Sequence, residues 1–171
     1  NTAYGWGDHS GAGYATSGGA ITVSTINGTE IATATHSNLG IGANALEDWT
    51  DGQQNTSFGD NALRDLTSGD FNCAFGYVPL SAHRTGDKNN AFGRSALMNN
   101  IGASHNNAFG YAALSETITG ENNSAFGSLA LQMCEGSNNT ALGYLAGDNI
   151  TSGSSNIIIG ASIDAPSATA R

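Results

Sequence analysis

The chain has 171 residues, 24 of them glycine, and a formal charge of −9 from 14 acidic residues against five Lys and Arg. No basic stripe or polybasic run is present to neutralise phosphates, which argues against nucleic acid and anionic membrane as partners. Sparse charge, two prolines and recurring Phe and Leu argue against disorder, and no apolar run approaches the ~18 residues of a membrane span.

The chain opens at Asn1 with neither Met nor a signal-like segment, as expected of a fragment or a processed product. Residues 1–37 read as a turn-rich lead. It runs through Trp6-Gly7-Asp8-His9-Ser10 and Gly13-Tyr14 to a Gly18-Gly19 junction. The alternating stretch Ile21–Ile26, the pair Asn27-Gly28 and then Thr29-Glu30-Ile31 predict a β-hairpin.

From residue 38 to 160 the sequence repeats itself. Glycines stand at 42, 59, 76, 93, 110, 127, 143 and 160, in five steps of 17 and then steps of 16 or 17. Four residues before each of these anchors is Asn38, Asn55, Asn72, Asn89, Asn106, Asn123, Asn139 or Asn156. Directly before the anchor is Ile41, Phe58, Phe75, Phe92, Phe109, Phe126, Leu142 or Ile159, and the residue before that is mostly Ala. Four after the anchor comes Leu46, Leu63, Leu80, Leu97, Leu114 or Leu131, and a second glycine follows about ten residues on, Gly86 and Gly102 among them. Ile157-Ile158-Ile159 closes the stack, and residues 161–171 form a polar exit.

A unit of about 17 residues with two glycines and an Asn-rich loop is too short and too broken for a useful helix. A β-coil fits: short strands ended by turn-tolerant residues, with equivalent positions stacked between coils. The predicted fold class is therefore all-β, an elongated β-solenoid or β-roll of ~17-residue coils. A stacked Asn column is chemically sound, because each amide both donates and accepts. Strand alternation sends Phe to one face and its Ala and Gly neighbours to the other. The bulky Phe face is expected inside the coil, and the bare face outside, open to another backbone. So thin a core implies association with other copies through the small-residue face.

Chemistry-bearing residues are few. Cys73 and Cys134 lie between three and four coils apart, roughly 16 Å along the stack, so they are not expected to pair within a chain. His9, His36, His83 and His105 share no metal or triad spacing, and His83 and His105 fall in polar loops where surface exposure is expected. Glu47, Asp48, Asp51, Asp60 and Asp65 would be the candidates for a glycan-cleaving carboxylate pair. They occupy variable loops, where solvated charge is the simpler reading, so no catalytic residue, metal or cofactor is expected. Tyr77, Tyr111 and Tyr144 follow the anchor glycine in alternate coils, with Arg94 between the first two, and are candidates for glycan contact.

The Asn-x-Ala-Phe-Gly unit resembles repeats of bacteriophage tail-fibre and tail-spike shafts, and is similar to the Ala-Ile-Gly head repeats of trimeric autotransporter adhesins. Phe in place of Ile and the longer period favour the phage family. The opening Tyr4-Gly5-Trp6-Gly7-Asp8-His9-Ser10 also resembles a tail-fibre segment. What the resemblance implies is a homotrimeric β-helical fibre located in the virion, a shaft supporting host attachment at a surface glycan or receptor. It also implies, for many such fibres, a self-cleaving chaperone, for which a cut near Arg171 would suit. The alternatives are a bacterial surface adhesin and a glycan-cleaving spike.

Overall fold

The computed structural model describes residues 25–26, 29–34 and 37–162. Trp6 to Tyr14, the Asn27-Gly28 pair, His9, His36 and residues 163–171 lie outside the described residues.

The lead supplies two strands, β1 (Thr25–Ile26) and β2 (Thr29–Ala34), paired antiparallel with Thr25 opposite Glu30. Each repeat then supplies one short strand ending on the residue before its anchor glycine. These are β3 (Asn38–Ile41), β4 (Thr56–Phe58), β5 (Cys73–Phe75), β6 (Asn90–Phe92) and β7 (Asn107–Phe109). They continue as β8 (Ser124–Phe126), β9 (Thr140–Leu142) and β10 (Ile157–Ile159). Sheet order follows chain order from β1 to β10. From β3 onward every pairing is parallel and in register with the repeat, Ala74 opposite Ala91 and Ala91 opposite Ala108. The chain is thus an all-β solenoid whose coils are the repeats, with no helix among the described residues. No helix among them is long and apolar enough to cross a membrane. At the first coil β2 runs antiparallel to β3, so the opening edge of the parallel stack is covered by the chain's own lead.

The interior is the reverse of the expected one. Ala74, Ala91, Ala108, Ala125 and Ala141 are fully buried, whereas Phe58, Phe109 and Phe126 are 50%, 36% and 41% exposed. The small-residue face of the strand is the inside of the coil, so it is not available to another chain. Parity explains the reversal. Asn at −4 and Ala at −2, counted from the anchor, lie on one side of an extended strand, and Phe at −1 lies on the other. Once the Asn amides take the inside, the Phe rings must face out.

Opposite the Ala column stand the Leu residues at +4, with Leu63, Leu80, Leu97, Leu114 and Leu131 completely buried. To reach the core they take left-handed backbone, Leu97 at φ 51° and Leu114 at φ 52°. Such a conformation costs an L-residue about 1–2 kcal/mol, and full burial of a Leu returns about 1.5–3 kcal/mol, so the corner holds. The last full coil shows how volume is conserved. Gly147 (φ 67°) replaces the Leu, and the space its side chain would enter is bordered by Leu131 of the preceding coil, by Ile150 and by Ile158, an Ile in the Ala column.

The anchor glycines have φ between 129° and 143°, which only glycine adopts comfortably. A Cβ at Gly93 would also stand 2.5 Å from the carbonyl oxygen of Gly110 in the next coil. The second glycine is less strict. In the coil after Gly93 its place is taken by Ala103, not Gly102, since Asn89 donates to the Ala103 carbonyl where other coils use a glycine carbonyl.

Candidate functional site: the interior columns and the outer face

The Asn column forms a continuous hydrogen-bond ladder. The Asn72 backbone N–H donates to Asn55 Oδ1 at 2.8 Å, Asn89 to Asn72 at 2.9 Å, and Asn106 to Asn89 at 3.0 Å. From Asn38 to Asn139 each Nδ2 also donates across the coil, Asn55 to the Gly69 carbonyl and Asn72 to the Gly86 carbonyl, both at 2.8 Å. Asn38, Asn55, Asn72, Asn89, Asn106, Asn123 and Asn139 are buried, and Asn156 in the last coil is half-buried. Each amide therefore fastens one coil to the next and one side of its own coil to the other, which is a structural task.

Sequence reasoning missed a second interior column, seven residues after the anchor: Trp49, Leu66, His83, Asn100, Thr117, Cys134 and Ile150. His83 is buried within it, not on a surface loop. The signal was the register: Leu66 and Ile150 at the same repeat position mark it as core. Nδ1 of His83 lies 2.8 Å from the Asn100 carbonyl and Nε2 lies 2.7 Å from the Gly86 carbonyl, two acceptors of which a neutral ring donates to only one. Burial lowers the His83 pKa, outweighing its contacts to the Gly86 and Asn100 carbonyls, the Asn100 side chain and Asp87. Cys134 lies three coils along, buried, and Cys73 is half-buried on the outer sheet face. Both are free thiols raised in pKa by burial.

The acidic candidates do not form a cleft. Glu47, Asp48, Asp51 and Asp60 lie on exposed turns, and Asp65 is held by the Arg64 guanidinium at 2.6 Å. Asp60 accepts from the Ala43 N–H of the preceding coil at 3.1 Å. Among the described residues no group of three or more His, Cys, Asp or Glu is placed to hold a metal ion. His105 is exposed at a left-handed corner.

Among the described residues nothing covers the outer sheet face. Phe58, Phe75, Phe92, Phe109 and Phe126 stack nearly parallel, with successive centroids 5.7, 5.1, 4.8 and 4.9 Å apart and interplanar angles of 8°, 5°, 4° and 8°. Ile41 extends this ladder at one end, Leu142 and Ile159 at the other. Seven strand spacings make it about 34 Å long. Beside it runs the −3 column of Thr56, Cys73, Asn90, Asn107, Ser124 and Thr140. Around the corner lie Tyr77, Tyr111 and Tyr144, each about half exposed, with Arg94 over the rings of the first two.

No protein-family model matches this sequence, and no curated protein and no solved structure is significantly similar to the chain.

Proposed function

We propose that this chain is the shaft of a bacteriophage tail fibre, three copies of which join through their Phe ladders to make a stiff rod that supports host attachment. The observation that carries the proposal is the unpaired aromatic ladder. Inside the coil the Ala, Leu and Asn columns pack against one another, yet a continuous apolar stripe faces outward along the stack. Long apolar stripes on a soluble surface mark interfaces. A closed symmetric assembly buries the same stripe on every copy. The choice of three copies, and of a virion over a bacterial surface, follows the resemblance of the Asn-x-Ala-Phe-Gly unit to phage shafts. Rigidity follows from the coil itself, since each repeat is tied to the next by strand pairing and by the Asn ladder.

Sedimentation equilibrium tests the assembly: the expected mass is three times the 17.3 kDa of the chain, and a single 17.3 kDa species would contradict it. The parent gene tests the location. Neighbouring genes for virion tail components are expected, whereas a downstream membrane-anchor β-barrel would move the chain to a bacterial surface.

A further inference from the structure

The position after the anchor glycine forms a column on the outside of the solenoid, Tyr77, Arg94, Tyr111, Ser128 and Tyr144 on successive coils. Residues two coils apart in such a column are separated by about 10 Å. Between Tyr77 and Tyr111 that space is occupied: the Arg94 guanidinium lies over both rings, 5.8 Å from one centroid and 5.9 Å from the other. Between Tyr111 and Tyr144 the same spacing recurs, but the residue between them is Ser128, whose side chain ends at a hydroxyl. The column thus repeats one slot twice, once plugged by the chain's own guanidinium and once open.

We propose that the open slot binds one pyranose ring of a β-linked, all-equatorial glycan, held between Tyr111 and Tyr144 above Ser128. Arg94 lies over one face of Tyr111, so a ligand in the open slot has to use the other face. A group centred in the slot sits about 5 Å from each ring, within the range at which aromatic faces make favourable contacts. The Arg94 distances are near the ~6 Å limit for a cation over a ring, so a flat guanidinium fills such a gap loosely. A pyranose is thicker and fills it better. With every hydroxyl equatorial, its two faces are both C–H surfaces, suited to two aromatic walls. An axial hydroxyl would press a polar group against one ring without a hydrogen-bond partner. The Tyr111, Tyr144 and Ser128 side chains each end in a hydroxyl that can donate to or accept from a sugar hydroxyl. The slot is built from the column of a single chain.

The test is titration of the protein, in whatever assembly it forms, with cellotetraose, read by NMR on 13C-labelled tyrosine rings. Tyr111 and Tyr144 signals are expected to shift while Tyr77 stays. β-1,4-Galactotetraose, whose 4-position carries an axial oxygen, is expected to bind at least about tenfold more weakly. Ser128→Arg should plug the open slot as Arg94 plugs its sister and abolish the shifts, with the melting temperature unchanged. Arg94→Ser should open a second slot, so that Tyr77 shifts as well. The proposal is overturned if cellotetraose moves no tyrosine signal or if the two sugars bind equally. It is equally overturned if Ser128→Arg still binds or if Tyr77 stays silent in Arg94→Ser.

Discussion

Ala91 and Phe92 are neighbours on one three-residue strand, yet one is sealed inside the coil and the other stacks on its outside. The inside is set by size. A Leu reaching across from the far wall and an Asn amide bonded to the next coil leave room for a methyl group and little more. The outside has no such limit, and there the sequence places an aromatic ring in five successive coils. The same three residues therefore present two faces: the inner one makes the coil, and the outer one is the face that the proposed assembly uses. Mutations on the two faces should accordingly fail in different ways.

The largest effect is expected at the corner that both faces share. Gly93→Ala puts a Cβ into left-handed backbone at φ 136° and against the Gly110 carbonyl, and should cost at least about 3 kcal/mol. Thermal denaturation should show a marked fall in melting temperature; an unchanged value would mean that the corner is not as described. A smaller effect of opposite sign is expected at Ser57, which stands in the Ala column with its hydroxyl buried and unpartnered. Ser57→Ala should stabilise the fold by about 1 kcal/mol. A loss of stability in chemical denaturation would place a hidden partner at that hydroxyl.

The smallest effect concerns the one short coil, between Gly127 and Gly143. In the earlier coils the backbone carbonyls of Thr67, Arg84 and Ile101 each accept at least two N–H groups from the coil before, as Arg84 does for Thr67 and Ser68. Here one residue is missing, and the Glu135 carboxylate does the work, accepting from Ile118 at 3.0 Å and Thr119 at 2.8 Å. Burial pushes the Glu135 pKa up, but the hydrogen bonds from Thr119, Ile118 and Gly120 together outweigh it and hold the carboxyl below its ordinary value. A depressed carboxyl stabilises above its unfolded pKa, and that contribution disappears as pH falls through the folded value. Melting temperature followed from pH 6 to 3 should fall less steeply in Glu135→Gln; an identical slope would remove Glu135 from the acid response.

The coil and its period could be read directly from the Asn and Gly spacing, and the stacking followed from identical positions in every repeat. Which face of the strand turned inward was misread, although the information was present. Asn and Ala sit two apart and so share a side, and the −3 column of Thr, Asn and Ser shares the side of Phe. Residue bulk and strand parity point to opposite faces, and parity prevails because the Asn amides occupy the inside. The left-handed Leu corners were not legible, because turn chemistry points to Gly or Asn at such positions, and only the surrounding core makes Leu pay there. His83 was placed outside for a similar reason: its polarity was read before its repeat position, which Leu66 and Ile150 mark as interior.

The central claim is that the outer Phe ladder joins chains and the inner columns make the coil, and one triple variant separates the two. Phe75→Ser, Phe92→Ser and Phe109→Ser together should leave the far-UV circular dichroism of the β-coil in place while sedimentation equilibrium shows the assembly reduced to single 17.3 kDa chains. An assembly that survives the three substitutions would contradict the account.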